Sequence, residues 1–330
     1  MNLRPKAKIK ILVIQTKEYD YLTANLIEGL HELSKKYFWL DFKCVEDSNY
    51  ASFYTDHVVP SSDIDLYANQ SDFIIATSNR FVRYDLVQKY SSLGKKIIFL
   101  DGADEGHLIY SPQNFYMYLK RECYLEYTQQ YKNVKPFPFA AENRYFLQSN
   151  DYNKDFDKLW AGKSNGLCCL MKADENRKHR FEIKNAIQEK YGDTDYYIGG
   201  HVQDSAKNPT YSFIGQFHNE AYYKTLLNTK ICVDAWGAGK WTSRFFEGLA
   251  NGCLVFQQSL QDFTYCSEFL DGKDVIFYYN IGELLEKIDY YLNNDEEAKQ
   301  IAHNGYQKLI QHHKSVHRAE YLVELLRKVF

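Results

Sequence analysis

The sequence lacks several features that mark well-known classes of protein. No window approaches the roughly 18 consecutive apolar residues that a membrane-spanning helix needs. Neither a G-x-G-x-x-G fingerprint nor a Walker loop follows any predicted strand, which disfavours a dinucleotide-dependent dehydrogenase and a P-loop NTPase. The net charge of −3 over 330 residues disfavours broad, salt-driven binding of nucleic acid.

The seven cysteines match no zinc-binding pattern. Cys168 and Cys169 are adjacent, which disfavours a disulfide between them, while Cys232 and Cys253 lie in apolar stretches. These positions predict free, buried thiols in a reducing compartment. The basic residues 1–10 lead into only a short apolar segment, unlike a signal peptide, so we expect a cytoplasmic protein.

What the sequence contains is an alternation of apolar runs and amphipathic segments. Residues 9–15 form a β-branched run typical of a strand buried on both faces, and residues 21–36 carry leucines at helical spacing. Further strands are predicted at residues 38–45, 71–78 and 96–101, with a helix at 83–93. Pro136 and Pro138 interrupt the pattern, so we expect irregular structure there and an interdomain linker that includes the polar tract 148–158.

The same alternation restarts after the linker. Strands are predicted at residues 166–171, 195–198, 230–234, 253–256 and 275–278, and helices at 176–191, 220–227, 243–250, 281–292, 296–310 and 316–329. Alternating strands and helices predict parallel sheets. We therefore expect an α/β protein with two Rossmann-like lobes and an interdomain cleft. The predicted domains are residues 1–145 and 146–315, and residues 316–330 form a helix that packs back on the first lobe.

The most informative segment lies between the strand that ends at Asp234 and the helix that follows. Glycine-rich backbone and a helix N-terminus suit anion binding, and an arginine in the first turn can clamp phosphate oxygens. Glu247 lies one turn after Arg244 and is placed to hydrogen-bond a ribose diol. An ordinary connection with a surface Arg–Glu pair is the alternative. The other candidate donor-binding residues in this segment are Gly237, Gly239, Lys240, Thr242 and Ser243.

A second group of candidates follows the strand at residues 96–101. Asp101, Asp104 and His107 come at the carboxyl end of a parallel strand, where α/β proteins bind ligands. Each of the three could take a proton from an acceptor hydroxyl as a general base. Asp101 could equally cap a turn.

Two short patterns resemble metal sites but fit ordinary structure better. Asp193-Thr194-Asp195 spells D-x-D, yet these acids precede a predicted strand, whereas a metal site needs them at its end, so we expect a turn. The histidines at positions 312, 313 and 317 fall in a polar helix junction, where we expect solvated side chains. The sequence therefore predicts no metal site.

The run from Arg244 to Gly252 reads R-x-x-E-x-x-A-x-G and is followed by an apolar strand. A Phe-to-Gly-Lys piece at residues 269–273 and a late H-x-x-x-x-R at residues 313–318 come next. In this order the elements resemble the C-terminal domain of CgeB-like glycosyltransferases, which are similar to the wider GT-B superfamily. The resemblance covers roughly residues 220–320.

This resemblance implies a GT-B fold and transfer of a sugar from a nucleoside diphosphate sugar to a hydroxyl acceptor. It places Arg244 on the donor phosphates, and Glu247 on the ribose as the second acid of an E-x7-E pattern. Gly239 occupies the first acid's position, so a retaining or an inverting course stays open. Lys172 and Arg177, after the first strand of the second lobe, are implied contacts of the diphosphate.

The resemblance also implies partners and a setting. The first lobe would bind a glycan or lipid-linked acceptor in polysaccharide biosynthesis, without metal or cofactor and without nucleic acid. The expected location is the cytoplasm, with peripheral association at the inner face of the membrane as one variant. Two alternatives stay open: a sugar-nucleotide epimerase of GT-B fold, and a catalytically silent protein that binds a nucleotide or sugar.

Overall fold

The computed structural model describes residues 8–14, 20–45, 55–78, 83–146, 155–171, 178–199, 220–259, 263–264 and 268–328. The chain divides into two compact units. The first unit comprises residues 1–140, 262–266 and 314–330, and the second comprises residues 141–261 and 267–313. No helix in the described ranges is long and apolar enough to cross a membrane.

The first unit contains a seven-stranded sheet in which every described pairing is parallel. Its strands run in the order β3-β2-β1-β4-β5-β6-β7. The strands are β1 (Ile9–Ile14), β2 (Leu40–Val45), β3 (Val58–Val59), β4 (Phe73–Ser78), β5 (Lys96–Asp101), β6 (Met117–Lys120) and β7 (Val134–Pro136). The helices between them are α1 (Tyr21–Lys36), α2 (Ile64–Gln70), α3 (Tyr84–Ser92) and α4 (Leu125–Gln130).

The central strands of this sheet are buried on both faces, as the continuous apolar runs predict. All residues of β1 except Lys10 are buried. Helix α1 begins at the predicted residue because the Asp20 carboxylate accepts hydrogen bonds from the backbone N–H groups of Leu22 and Thr23. Its buried side chains then cover one face of the sheet.

The second unit contains a five-stranded parallel sheet in the order β12-β11-β10-β8-β9. Its strands are β8 (Asn165–Leu170), β9 (Tyr197–Gly199), β10 (Thr229–Asp234), β11 (Leu254–Gln258) and β12 (Ile276–Tyr278). Its helices are α5 (Phe156–Ala161), α6 (Lys178–Tyr191), α7 (Glu220–Leu227), α8 (Ser243–Ala250), α9 (Ile281–Asn293) and α10 (Asp295–His312).

The last helix, α11 (Ser315–Arg327), belongs to the first unit and packs against α1. The contact is close, since a Cβ on Gly29 of α1 would lie 2.2 Å from the Ser315 carbonyl oxygen. Arg318 of α11 is buried and donates to the carbonyls of Pro138 (3.0 Å) and Phe139 (2.9 Å). These contacts place the end of the chain beside its beginning.

The structure departs from the sequence predictions at the segment around Pro136. Val134–Pro136 is a strand, so the prediction of irregular structure there is wrong. Strand β7 lies at the sheet edge, where proline is tolerated because no further strand needs its missing N–H. The second unit begins at Ala141, whose N–H donates to the carbonyl of His313 in the same unit at 2.7 Å.

The structure shows a turn at one of the two patterns that resemble metal sites and a buried histidine at the other. Residues 192–195 form a turn closed by a hydrogen bond from the Thr194 N–H to the Tyr191 carbonyl, as predicted. His313 was expected to be solvated, but it is fully buried and stacks on Phe269 with ring centres 4.3 Å apart. The expectation failed because Phe269 lies distant in sequence and covers the junction.

Candidate functional site

The connection between β10 and α8 lies at the carboxyl edge of the second sheet. Thr242 is the N-cap of α8: its hydroxyl accepts a hydrogen bond from the Phe245 N–H (3.3 Å) and donates to the Asp234 carboxylate (2.5 Å). The start of the helix is therefore tied to the end of the strand. This use of the hydroxyl gives Thr242 a structural function besides its predicted contact with a ligand.

Arg244, in the first turn of α8, is held against the same carboxylate. Its Nη1 donates to Asp234 Oδ1 at 3.0 Å. The Asp234 side chain is fully buried, whereas 12% of the Arg244 side chain is exposed. Burial raises the pKa of Asp234, and the neighbouring guanidinium groups of Arg244 and Arg180 oppose that rise. The pair fixes the direction of the arginine fork.

One nitrogen of the Arg244 guanidinium makes no hydrogen bond to a described residue. The Nε of Arg244 is buried and has no hydrogen-bond partner among the described residues. A buried donor without a partner costs roughly 1–3 kcal/mol, more for a charged group. The exposed 12% of the Arg244 side chain lies at the N-terminus of α8, where an anion would also meet the positive end of the helix dipole.

The loop before α8 is shaped by two residues of α6. Arg180 donates to the carbonyls of Ala235 (2.8 Å) and Trp236 (2.5 Å), and His179 Nε2 lies 2.8 Å from the Trp236 carbonyl. A Cβ on Gly237 would lie 3.1 Å from Arg180 Nη2, so glycine lets the backbone approach this guanidinium. These side chains of α6 thus hold the carbonyls of Ala235 and Trp236 in place.

The remaining predicted loop residues surround this turn. The Gly237 N–H donates to the Gly239 carbonyl at 2.7 Å, which tightens the glycine segment. The Lys240 ammonium lies 4.4 Å from the centre of the Trp236 ring, a cation–π contact that keeps its charge beside the loop. Ser243 is the first residue of α8 and is partly exposed.

Glu247, which the sequence predicts to hydrogen-bond a ribose, does not face solvent. Its side chain is fully buried, and its Oε2 accepts a hydrogen bond from the Tyr222 hydroxyl at 2.7 Å. In this conformation no surface of Glu247 is open to a ribose. Its direct contact with a donor stays a prediction that requires the surroundings of Tyr222 to shift.

Lys172 and Arg177 lie outside the described residues, so their predicted contact with the diphosphate also stays a prediction. Arg180, three residues later, lies in the first turn of α6. It is 7% exposed and organises the loop. The only signal in the sequence was the basic run at residues 177–180, which does not distinguish an inward-facing arginine from a solvated one.

The structure argues against Asp101 as a general base. The side chain is fully buried at the end of β5 and accepts hydrogen bonds from the Ala103 N–H and the Tyr118 hydroxyl. Lys120 Nζ forms an ion pair with it at 3.2 Å. An acceptor hydroxyl cannot reach a carboxylate with no exposed surface. The alternative, a residue that caps a turn, describes Asp101 correctly.

The other two candidates on this loop have different surroundings. Asp104 forms an ion pair with the buried Arg121 and keeps 28% of its side chain exposed. His107 is exposed. Among the described residues, no three His, Cys, Asp or Glu side chains are placed to hold a metal ion. Of the three candidates, His107 therefore has the most accessible side chain. That Asp104 or His107 acts as a general base stays a prediction.

The chain is similar to known glycosyltransferases in part of its sequence and in its fold. Residues 177–324 match a family model described as "Glycosyl transferase-like", which includes the loop and Arg244. No curated protein matches the sequence.

Three solved structures are similar to the chain over almost its whole length. A glycosyltransferase from Rickettsia africae ESF-5 has a TM-score of 0.69 at 11% identity, with 98% of each chain covered. Anabaena HepE in complex with UDP has a TM-score of 0.61 at 10% identity, covering 97% of this chain and 100% of its own. An alpha-glucosyltransferase in complex with UDP and a 13-mer DNA has a TM-score of 0.56 at 11% identity, with the same coverage.

Identities this low establish the fold alone. The match nevertheless covers 97–98% of this chain, in which the two parallel sheets have seven and five strands. The predicted fold is confirmed: the chain is an α/β protein with two parallel sheets that match those of GT-B glycosyltransferase structures, and residues 177–324 are similar to a glycosyltransferase-like family.

Proposed function

We propose that the protein is a metal-independent glycosyltransferase that moves a sugar from a nucleoside diphosphate sugar to a hydroxyl acceptor. The acceptor class that fits best is a glycan or a lipid-linked saccharide, and the proposed setting is polysaccharide biosynthesis in the cytoplasm or at the inner face of the membrane. Three similar structures, including HepE, were determined with UDP or UDP-glucose, which supports a uridine nucleotide as the donor.

The observation that carries the proposal is the Arg244 fork. One side is fixed by Asp234, and the buried Nε on the other side lacks a partner in the described residues, at the N-terminus of α8. A diphosphate would contact the exposed part of this guanidinium, and a shift of the surrounding side chains would let one of its oxygens accept from Nε. Lys240 adds a second cation to the same loop. Two fixed cations and a helix N-terminus can stabilise a departing diphosphate without a metal ion.

The transfer itself needs one bond made and one broken. The acceptor oxygen bonds to the anomeric carbon, the bond between that carbon and the diphosphate oxygen breaks, and the electron pair leaves with the diphosphate. The acceptor proton passes to a base, for which the exposed His107 is the best remaining candidate. Arg244 would stabilise the negative charge that develops on the leaving group.

Nucleotide binding tests the donor site first. Calorimetry and thermal unfolding with UDP, GDP, CDP, ADP and dTDP would be compared for the wild type and Arg244→Lys. Lysine keeps a positive charge beside Asp234 but loses the second arm of the fork. We expect UDP to bind the wild type and to bind Arg244→Lys about tenfold more weakly, or about 1.4 kcal/mol.

The matched control is Arg83→Lys, the same chemical change at an exposed arginine of the first unit that pairs with Asp85. It should leave binding unchanged. If no diphosphate binds the wild type, or if Arg244→Lys binds as tightly as the wild type, the donor site does not lie at this loop.

The reaction separates the proposal from its two alternatives. With the bound sugar nucleotide and a panel of saccharide acceptors, a transferase releases the diphosphate at a rate that rises with acceptor concentration. An epimerase would change the sugar, or release UDP, with no acceptor present. A silent binding protein would bind the donor and release nothing.

A further inference from the structure

A cavity of about 360 Å³ opens in the second unit at the amino ends of β8 and β10. It is lined by the starts of these strands and by the junction of α9 and α10. Asp234 and the candidate donor loop lie at the opposite, carboxyl end of β10. The six residues of that strand span roughly 20 Å, so the cavity is separate from the donor site.

The polar side of the cavity is already organised. Asp295 accepts a hydrogen bond from Lys230 Nζ at 2.6 Å, and the Trp160 indole N–H lies 3.3 Å from both of its carboxylate oxygens. The Lys230 ammonium also lies 5.7 Å from the Trp160 ring centre. The carboxylate and the ammonium are therefore held in fixed positions, and the side chains of Asp295 and Lys230 stay 46% and 30% exposed.

The apolar side of the cavity is formed by two tyrosines and by Gly166. Tyr196 and Tyr291 are partly exposed and line the cavity. Gly166 forms the floor: a Cβ there would lie 3.0 Å from both Leu292 Cδ2 and Tyr196 Cε1. Glycine at this position keeps the space beside the tyrosine open. Flat aromatic faces next to fixed hydrogen-bonding groups suit the mixed surface of a pyranose ring.

The charges at the cavity disfavour ionic ligands. Lys163 directs its ammonium to the carbonyls of Leu226, Leu227 and Asn251, so its three donors are engaged. Lys230 is paired with Asp295, whose negative charge would repel a phosphate. A single carboxylate is too few for a metal ion, and the described residues contain no such cluster. A neutral, hydroxyl-rich ligand meets neither obstacle.

We propose that this cavity binds a pyranose unit of a neutral saccharide, as a second site that is separate from the donor site. Tyr196 and Tyr291 contact the apolar face of the ring, and Asp295 with Lys230 hydrogen-bonds adjacent hydroxyls. Such a site holds a glycan chain on the second unit away from the reacting centre. The inference goes beyond the proposed function and does not depend on it.

The indole signal of Trp160 reports on this cavity directly, because its N–H faces Asp295. The chain contains four tryptophans, so a ¹H–¹⁵N spectrum resolves four indole signals, and Trp160→Phe assigns one of them. The full-length protein would be titrated with methyl glycosides of glucose, galactose, mannose and N-acetylglucosamine. Inorganic phosphate serves as the charged probe.

We expect at least one methyl glycoside to shift the Trp160 signal saturably, and phosphate to leave it unmoved. Tyr196→Ala should raise the dissociation constant about fivefold or more. Tyr290→Ala is the matched control, because Tyr290 is 49% exposed, neighbours Tyr291 and does not line the cavity. Arg244→Lys should keep the response, which distinguishes this site from the donor site.

Three results would overturn the proposal: no glycoside shifts the Trp160 signal, phosphate alone shifts it, or Tyr196→Ala responds like the wild type. Thermal unfolding checks that each variant is folded. If Tyr196→Ala is unfolded, Asp295→Asn replaces it, since this change on the partly exposed first residue of α10 removes the negative charge and replaces one acceptor oxygen by an amide donor at nearly the same size. The same fivefold loss is then expected.

Discussion

The cysteines within the described residues are all free and buried: Cys44, Cys123, Cys168, Cys169, Cys232 and Cys253. Burial raises the pKa of Cys44 to about 11 and the pKa values of Cys169 and Cys253 to about 12. Thiols of this kind carry almost no thiolate near neutral pH and are shielded from reagents. We therefore predict that the native protein reacts with Ellman's reagent at one thiol at most, Cys266, which lies outside the described residues.

The denatured protein should react at all seven thiols, and native Cys266→Ser at none. Two or more fast-reacting thiols in the native wild type would show that a described cysteine is accessible in solution. The count is read from the absorbance of the released thiolate, so it needs no knowledge of activity.

Glu320 of α11 provides a prediction about pH. Burial raises its pKa above the ordinary value of 4.5, Lys36 opposes the rise, and Glu324 and Glu32 add to it. The folded state then binds the proton more tightly than the unfolded state. Stability that is present below the unfolded pKa is lost as pH rises from about 4.5 through the higher folded value.

Glu320→Gln removes this titration. We expect the variant to unfold at the same urea concentration as the wild type near pH 4 and at a higher one near pH 7. Glu126→Gln, an exposed glutamate of α4 in the same unit, is the control and should show no such change. A wild type that gains stability over Glu320→Gln on going to neutral pH would reverse the sign of the argument.

Single residues of the candidate site were predictable only where the local sequence decides their position. The glycines and Arg244 follow a strand end and open a helix, so spacing alone places them on one loop. The burial of Asp101 could not be predicted from the residues next to it in the sequence. The Asp101 side chain is buried against Lys120 and Tyr118, which belong to the neighbouring strand β6. That strand has only four residues, and no apolar pattern in the sequence predicted it.

Among the elements, long helices with clear caps were predicted best. Helix α1 spans the predicted residues 21–36 and α8 the predicted 243–250, because Asp20 and Thr242 cap them and their apolar faces have helical period. The short edge strands β3 and β7 were missed. A two- or three-residue strand carries no periodicity, and its formation depends on the neighbour it pairs with.

Helix α1 gives a prediction about packing between elements. Alanine normally stabilises a helix relative to glycine by about 0.5–1 kcal/mol. At Gly29 the added Cβ would lie 2.2 Å from the Ser315 carbonyl oxygen of α11, a backbone atom that cannot move aside alone. We expect Gly29→Ala to lose about 1–2 kcal/mol of unfolding free energy in urea, because overpacking outweighs helix propensity.

Gly282→Ala is the matched control. Gly282 lies in α9, is exposed, and has only the Asn280 side chain near its Cβ position, at 3.4 Å. The substitution should be neutral or stabilising by about 0.5 kcal/mol. If Gly29→Ala were as stable as Gly282→Ala, the close approach of α1 and α11 would not exist in solution.

At the scale of the whole molecule, the alternation of strands and helices sufficed to predict two parallel-sheet units. The chain passes from the first unit to the second between Ala140 and Ala141, where hydrogen bonds from distant residues are made. Within the first unit, Arg318 donates to the Pro138 and Phe139 carbonyls. Ala141 is the first residue of the second unit, and its N–H donates to the His313 carbonyl of that unit. No local pattern in residues 138–141 encodes partners almost 180 residues away.

The last helix therefore completes a unit that begins at the other end of the chain. Leu322, Val323 and Leu326 of α11 are buried, at 0%, 3% and 0% exposure. Each contributes about 2 kcal/mol of apolar burial, so removing the helix costs the first unit about 6 kcal/mol. Since typical domains are stable by only about 5–15 kcal/mol, a chain that ends at His313 should lose most of the stability of that unit.

Hydrogen exchange read by mass spectrometry would resolve the effect by unit. In the shortened chain, peptides from β1, β4 and β5 should lose protection, while peptides from β8, β10 and β11 keep it. Leu322→Ala in the full chain should give a smaller loss confined to the first unit, by about 2–4 kcal/mol. Equal protection of β1 in both chains would mean that α11 is dispensable, and loss in β8 and β10 as well would mean that the two units unfold together.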